Sequence, residues 1–137
     1  MGYYSDVCVC VAVRNKDDAE RLLAIYRLDP IVGKTGAESK LKTHTFPNGA
    51  VMIYYYDKAV KWYTDYEDVR AITHLVDTAM LLEEGPEPLV YASVSVIVGE
   101  DVNDMTYDAS YSPDGSYDLY DMLLDRIRLV RAIEIDL

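Results

Sequence analysis

Residues 6–14, DVCVCVAVR, alternate strictly, with Val7, Val9, Val11 and Val13 on one side and Cys8, Cys10 and Ala12 on the other. A period of two that is apolar on both sides predicts a central strand. Asn15 stands where a helix cap belongs, acids occupy the first turn, and Ala19, Leu22, Leu23 and Tyr26 keep helical spacing. A helix over about 16–28, stopped at Pro30, is expected. Residues 30–42, PIVGKTGAESKLK, read as a loop, and THTF, the turn PNG and VMIYYYD read as a hairpin. Thr64 and Glu67 form a capping box ahead of Val69, Ile72, Val76, Ala79 and Met80, so a second long helix is predicted, ending at Gly85-Pro86.

LVYASVSVIV alternates again, Ala92, Val94, Val96 and Val98 against Tyr91, Ser93, Ser95 and Ile97. The tail RIRLVRAIEIDL reads as a last strand, with Ile127, Leu129, Ile133, Ile135 and Leu137 in register. The order β-α-β-β-α-β with additional C-terminal strands predicts one α+β domain over residues 1–137. The simplest topology is a ferredoxin-like, split-βαβ antiparallel sheet with two helices on one face. In that arrangement the other face carries Cys8, Cys10, Ala12, the serines and Tyr91. The run at 54–56 puts Tyr54 and Tyr56 on one face and Tyr55 on the other. Two readings of the second face stay open: a tyrosine platform at Tyr54, Tyr56 and Tyr91 suited to binding or self-association, or a surface covered by the C-terminal segment or a second copy.

Charge changes the picture more than composition does. The chain of 137 residues is half hydrophobic and contains 13 tyrosines, enough to build a core. Its net charge of −11 is unevenly placed: residues 1–62 hold nine Lys/Arg against seven Asp/Glu, and residues 63–137 hold four against seventeen. No Lys or Arg occurs between Arg70 and Arg126. Such a surface repels phosphate backbones and anionic lipid, and favours a basic partner, so neither nucleic acid nor membrane is expected as a direct ligand. No apolar run approaches the roughly 20 residues of a membrane span, and the first residues lack a secretory pattern; a cytoplasmic location is expected.

The densest acidity lies in GEDVNDMTYDASYSPDGSYDLYD, residues 99–121, with seven carboxylates, four tyrosines and no cation. SPDG within it suggests a second hairpin. A calcium loop would need an oxygen ligand at its fifth position and a glycine next, where Met105 and Thr106 stand. The candidate partner-binding residues are therefore Glu100, Asp101, Asp104, Asp108, Asp114, Asp118 and Asp121 for charge, and Tyr107, Tyr111, Tyr117 and Tyr120 for contact area.

Catalytic and metal chemistry find little to use. Cys8 and Cys10, at i and i+2 in one strand, cannot bridge without strain and read as buried thiols. His44 and His74 belong to no zinc-binding pair, and His74 falls off the apolar face of its helix. GKT at 33–35 follows a helix instead of a strand and lacks the first glycine of a phosphate loop, where Leu28 stands. No catalytic residue, metal or cofactor is assigned.

The pieces VKWYTDYEDV at 60–69, the opening MGYYSDV and the close RAIEIDL together resemble a group of small phage and prophage proteins. Those proteins begin MGYYS, carry KWY-x-x-Y-x-DV at the second helix and end in an IEID-like strand. The resemblance implies a mobile-element origin and a compact α+β domain, and it brings no catalytic residues. By analogy of size, charge and origin, the chain is similar to acidic anti-CRISPR and anti-restriction inhibitors, some of which mimic nucleic-acid charge. The expectation is a non-enzymatic inhibitor of a basic, nucleic-acid-handling host protein. The alternative is an assembly protein that dimerises through the tyrosine-bearing sheet face.

Overall fold

A computed structural model describes residues 3–101, 103–113, 117–129 and 133–135. Strand β1 (Ser5–Val13) leads into helices α1 (Lys16–Tyr26) and α2 (Pro30–Thr35), a 3-10 turn (Ala37–Lys40), and strands β2 (Lys42–Thr45) and β3 (Val51–Val60). Helix α3 (Glu67–Glu83), strands β4 (Tyr91–Gly99) and β5 (Met105–Tyr111), helix α4 (Tyr117–Arg126) and short strands β6 (Ile127–Leu129) and β7 (Ile133–Ile135) follow. The described residues form an α+β structure: a five-stranded antiparallel sheet in the order β2-β3-β1-β4-β5, four helices, and the separate pair β6-β7.

β1 is central, as its two-sided pattern predicts. Val7, Val9, Val11 and Val13 pack with Leu22 and Tyr26 of α1 and Ile72 and Leu75 of α3. Each such buried aliphatic contributes about 1.5–3 kcal/mol of transfer free energy. Tyr26 satisfies its buried hydroxyl by donating to the Ala71 carbonyl at 2.6 Å, and burial pushes its phenol pKa up. Cys8, Cys10 and Ala12 face the other way, toward Met52, Val94, Leu119 and Leu123. Small side chains along the middle strand make room there for α4.

The caps and turns decide where the elements begin. Asn15 Oδ1 accepts from the Asp18 N–H at 2.8 Å and starts α1. In the β2-β3 hairpin Gly49 sits at φ 92 and Asn48 Oδ1 accepts from the Ala50 N–H, as the PNG turn requires. Residues 30–42 are not a loop. Asp29 caps α2 through the Ile31 N–H, Pro30 sits at its start, and Gly36 closes it at φ 67. The capping box at Thr64 is not formed either: Tyr66 precedes α3 and contributes no side-chain cap. The buried stripe of α3 includes Leu75, while Met80, expected on that stripe, is 45% exposed.

The largest departures lie in the C-terminal third. β5 pairs with β4 through a hairpin that turns at 99–104, where the Gly99 N–H donates to the Asp104 carbonyl, while Asp114 and Gly115 of the SPDG turn expected from the sequence lie outside the described residues. Residues 117–126 form a helix because Leu119 and Leu123, one turn apart, find the recess over Cys10, Ala12 and Ala92. The expected last strand is split, with Ile127 opposite Ile135 across β6-β7. Helices therefore lie on both faces of the sheet, not on one, and α4 with Ile127 and Ile135 covers the face that the sequence left open.

Candidate interaction surface

Among the described residues β5 is an edge strand, paired with another strand on one side only. At the two ends of its ladder the Gly99 N–H donates to the Asp104 carbonyl and the Ser112 N–H to the Tyr91 carbonyl. Antiparallel pairs alternate, so Thr106, Asp108 and Ser110 turn their main-chain groups toward β4. Met105, Tyr107, Ala109 and Tyr111 turn theirs to the open edge. The side chains of Tyr107 and Tyr111 share the face of Val96 and Ala92, which is the face under α4.

There they meet the tyrosines of α4. The Tyr107 and Tyr120 hydroxyls share a hydrogen bond at 2.9 Å. The Tyr111 ring lies 5.3 Å from that of Tyr120 and 5.9 Å from that of Tyr117. All four predicted tyrosines thus form one cluster, and it remains open to solvent: Tyr107 is 41%, Tyr111 44% and Tyr117 69% exposed. Partial burial, then the hydrogen bond to Tyr120, pushes the Tyr107 phenol up to about 12. Helix α4 is held in place by Leu119 and Leu123, by Arg126 stacked 5.5 Å over the Phe46 ring, and by Asn48 Nδ2 donating to Met122 Sδ.

The carboxylates divide into three groups. Asp118 and Asp121 are exposed on α4 beside the tyrosines. Asp108 is exposed but pairs opposite Ser95, on the other face of the sheet from Tyr107 and Tyr111. The turn acids are partly occupied: Asp104 Oδ2 accepts from the Tyr3 hydroxyl at 2.7 Å, Glu100 Oε1 from the Tyr4 N–H at 2.7 Å, and Asp101 Oδ1 from the Asn103 N–H at 3.0 Å. Their role includes fastening residues 3 and 4 to the β4-β5 turn. Asp114 lies outside the described residues.

Tyr54, Tyr56 and Tyr91, expected together on one open face, do not share a face of the sheet. Ser93 stands opposite Val11, so β4 turns Tyr91, Ser93, Ser95 and Ile97 toward α1 and α3. Tyr91 is 4% exposed there, whereas Tyr54, 9% exposed, and Tyr56 pack beneath the α4 face. The serines on that side bond among themselves: the Ser93 and Ser110 hydroxyls are 2.7 Å apart, and Ser112 Oγ accepts from the Tyr91 N–H at 2.8 Å. The residue missing from the expected surface is Met105, 56% exposed at the start of β5. Its place in the apolar alternation Met105-x-Tyr107-x-Ala109-x-Tyr111 is the signal that could have found it.

Cys8 and Cys10 are both fully buried, and burial raises the Cys10 thiol well above its ordinary pKa while its Sγ donates to the Val94 carbonyl. Neither thiol is placed for nucleophilic chemistry. His74 Nδ1 lies 2.7 Å from Asp29 Oδ2 at the junction of α2 and α3. Among the described residues no three His, Cys, Asp or Glu side chains converge as a metal centre would need, and no helix is long and apolar enough to cross a membrane. No family model, curated protein or solved structure matches this chain.

Proposed function

We infer that the chain is a non-catalytic binding protein whose β5-α4 surface takes a basic protein partner. The observation that carries this reading is the assembly of Tyr107, Tyr111, Tyr117 and Tyr120 into one exposed cluster beside Asp118 and Asp121. Tyrosine supplies contact area at low entropic cost, and exposed carboxylates around it steer a cationic partner and set register. The open edge of β5 adds main-chain donors and acceptors to the same surface. Taken with the phage-like pieces of sequence, the partner is a host protein that handles nucleic acid, and the consequence of binding is inhibition, in the manner of acidic anti-CRISPR proteins.

A split-βαβ, ferredoxin-like core is part of this reading. The order β2-β3-β1-β4, all antiparallel, with α1 and α3 on one face, supports it. β5, α4 and the β6-β7 pair are then additions that build the binding surface.

The test is affinity capture from a bacterial lysate at low and at moderate salt, repeated with Asp118→Asn and Asp121→Asn combined. A nuclease, polymerase or CRISPR complex that is retained by the wild type, elutes as salt rises and is lost by the variant is the expected result. Equal capture by the two proteins with the same salt dependence would refute the electrostatic reading.

A further inference from the structure

At the opposite edge of the sheet β3 runs past the end of β2, whose pairing stops at Lys42 opposite Tyr54. Beyond that point β3, the 3-10 turn and the first turn of α3 enclose a cleft of about 580 Å³. That volume falls within the roughly 300–1,000 Å³ of small-molecule sites. Tyr55 and Trp62 line it as a stacked pair, ring centroids 5.7 Å apart and planes 23° apart. Lys40, Lys42 and Lys61 stand around it, all exposed. None of the three is in an ion pair among the described residues, although Lys61 Nζ lies 5.8 Å from the centre of the Tyr4 ring; nearby Lys34 is paired with Glu67. Asp57 and Asp68 also line it, with Val60, Val69 and Ile72 among the apolar residues.

We propose that this cleft binds a small nucleoside phosphate, its ring against the Tyr55-Trp62 wall and its phosphate among Lys40, Lys42 and Lys61. Each part of such a ligand has a counterpart. An aromatic wall takes a planar base through stacking, exposed ammonium groups take a phosphate, and carboxylates accept hydrogen bonds from ribose hydroxyls. A longer nucleic acid is disfavoured, because its further phosphates would meet a protein of net charge −11. The site is independent of the tyrosine surface, which occupies the far edge of the sheet.

Trp62 is the chain's only tryptophan, so its fluorescence reports on the cleft directly. AMP, adenosine and a short single-stranded oligonucleotide are titrated into the intact protein, followed by calorimetry and by Trp62 emission. Saturable binding of AMP with a change in Trp62 emission is expected, weakened about tenfold by Lys40→Ala with Lys42→Ala, as loss of charge-assisted contacts predicts. Adenosine should bind no better to the wild type than AMP binds to that variant. Both lysines are exposed, so the variant should keep the wild-type thermal melt. Absence of saturable AMP binding, binding without a change at Trp62, equal affinity in the double variant, or tighter binding of the oligonucleotide would each overturn the proposal.

Discussion

Tyr107 on β5 and Tyr120 on α4 share a hydroxyl-hydroxyl hydrogen bond at 2.9 Å, and through it the edge strand and the helix that covers the sheet present one surface. Removing one hydroxyl by Tyr107→Phe should cost no more than about 1 kcal/mol, because both rings remain packed and water can replace the lost partner. Weaker capture of the partner than Tyr66→Phe causes, at unchanged fold, is the outcome that follows from the binding role.

The same pair has a pH signature. Burial, then the bond to Tyr120, holds the Tyr107 phenol at about 12, above its ordinary value of 10.0. The folded state therefore binds that proton more tightly than the unfolded chain does. Its contribution to stability is fully present below pH 10 and is lost as pH rises through the folded value. Spectrophotometric titration of Tyr120→Phe should show the Tyr107 transition moving down only in part, since burial is the larger cause.

Leu123 is fully buried between α4 and the sheet, while its neighbour Leu124 is 41% exposed. Leu123→Ala should lower stability by about 2–5 kcal/mol, and Leu124→Ala by about 0.5 kcal/mol or less. Similar losses at both positions in chemical denaturation would contradict the docking of α4.

Gly99 has no room for a side chain, because a Cβ would meet the Tyr3 ring, with Cε1 at 2.7 Å, and the Asp104 carboxylate. Gly99→Ala should displace Tyr3, break its bond to Asp104 and expose the N-terminal residues to proteolysis. In a Tyr3→Ala background the same substitution should add little, and that non-additivity is the readable quantity.

Arg27 grips Glu38 with Nε at 2.9 Å from Oε2 and Nη2 at 2.6 Å from Oε1, joining the end of α1 to the 3-10 turn. Those hydrogen bonds hold the Glu38 carboxyl below its ordinary pKa despite an opposing effect of burial. The stability they contribute is present above the unfolded pKa and lost as pH falls through the folded one. NMR titration should find Glu38 returned toward its ordinary value by Arg27→Ala. The accompanying loss of stability should be small, because 57% and 35% of the two side chains are exposed and solvent screens the pair.

Asp29 caps α2 through the Ile31 N–H and also meets His74 at 2.7 Å. Asp29→Ala should cost about 1–2 kcal/mol in thermal or chemical denaturation, and Asp29→Asn less, since an amide oxygen can still cap.

Local patterning was enough for much of this molecule. The two-sided alternation of Val7 to Val13, the Asn15 cap and the Asn48-Gly49 turn each act within a few residues, so they are legible as written. So is the crowding of acids and tyrosines after Arg70. Other features depend on partners far along the chain. α2 is not legible in the sequence because Pro30 and Gly36 read as loop punctuation unless Asp29 caps the segment. α4 is not legible either, because its two buried leucines count for little without the recess formed by Cys10, Ala12 and Ala92. The faces of β4 are the reverse of those its sequence suggests, since alternation shows that two faces exist but not which one meets the helices; the pairing of Ser93 with Val11 decides that, and a shift of one residue would reverse it. The same long-range register gathers four tyrosines from β5 and α4 into one cluster and separates Tyr91 from Tyr54. Side-chain period is a property of the backbone at each position, whereas register and docking are settled by the burial that distant segments achieve together.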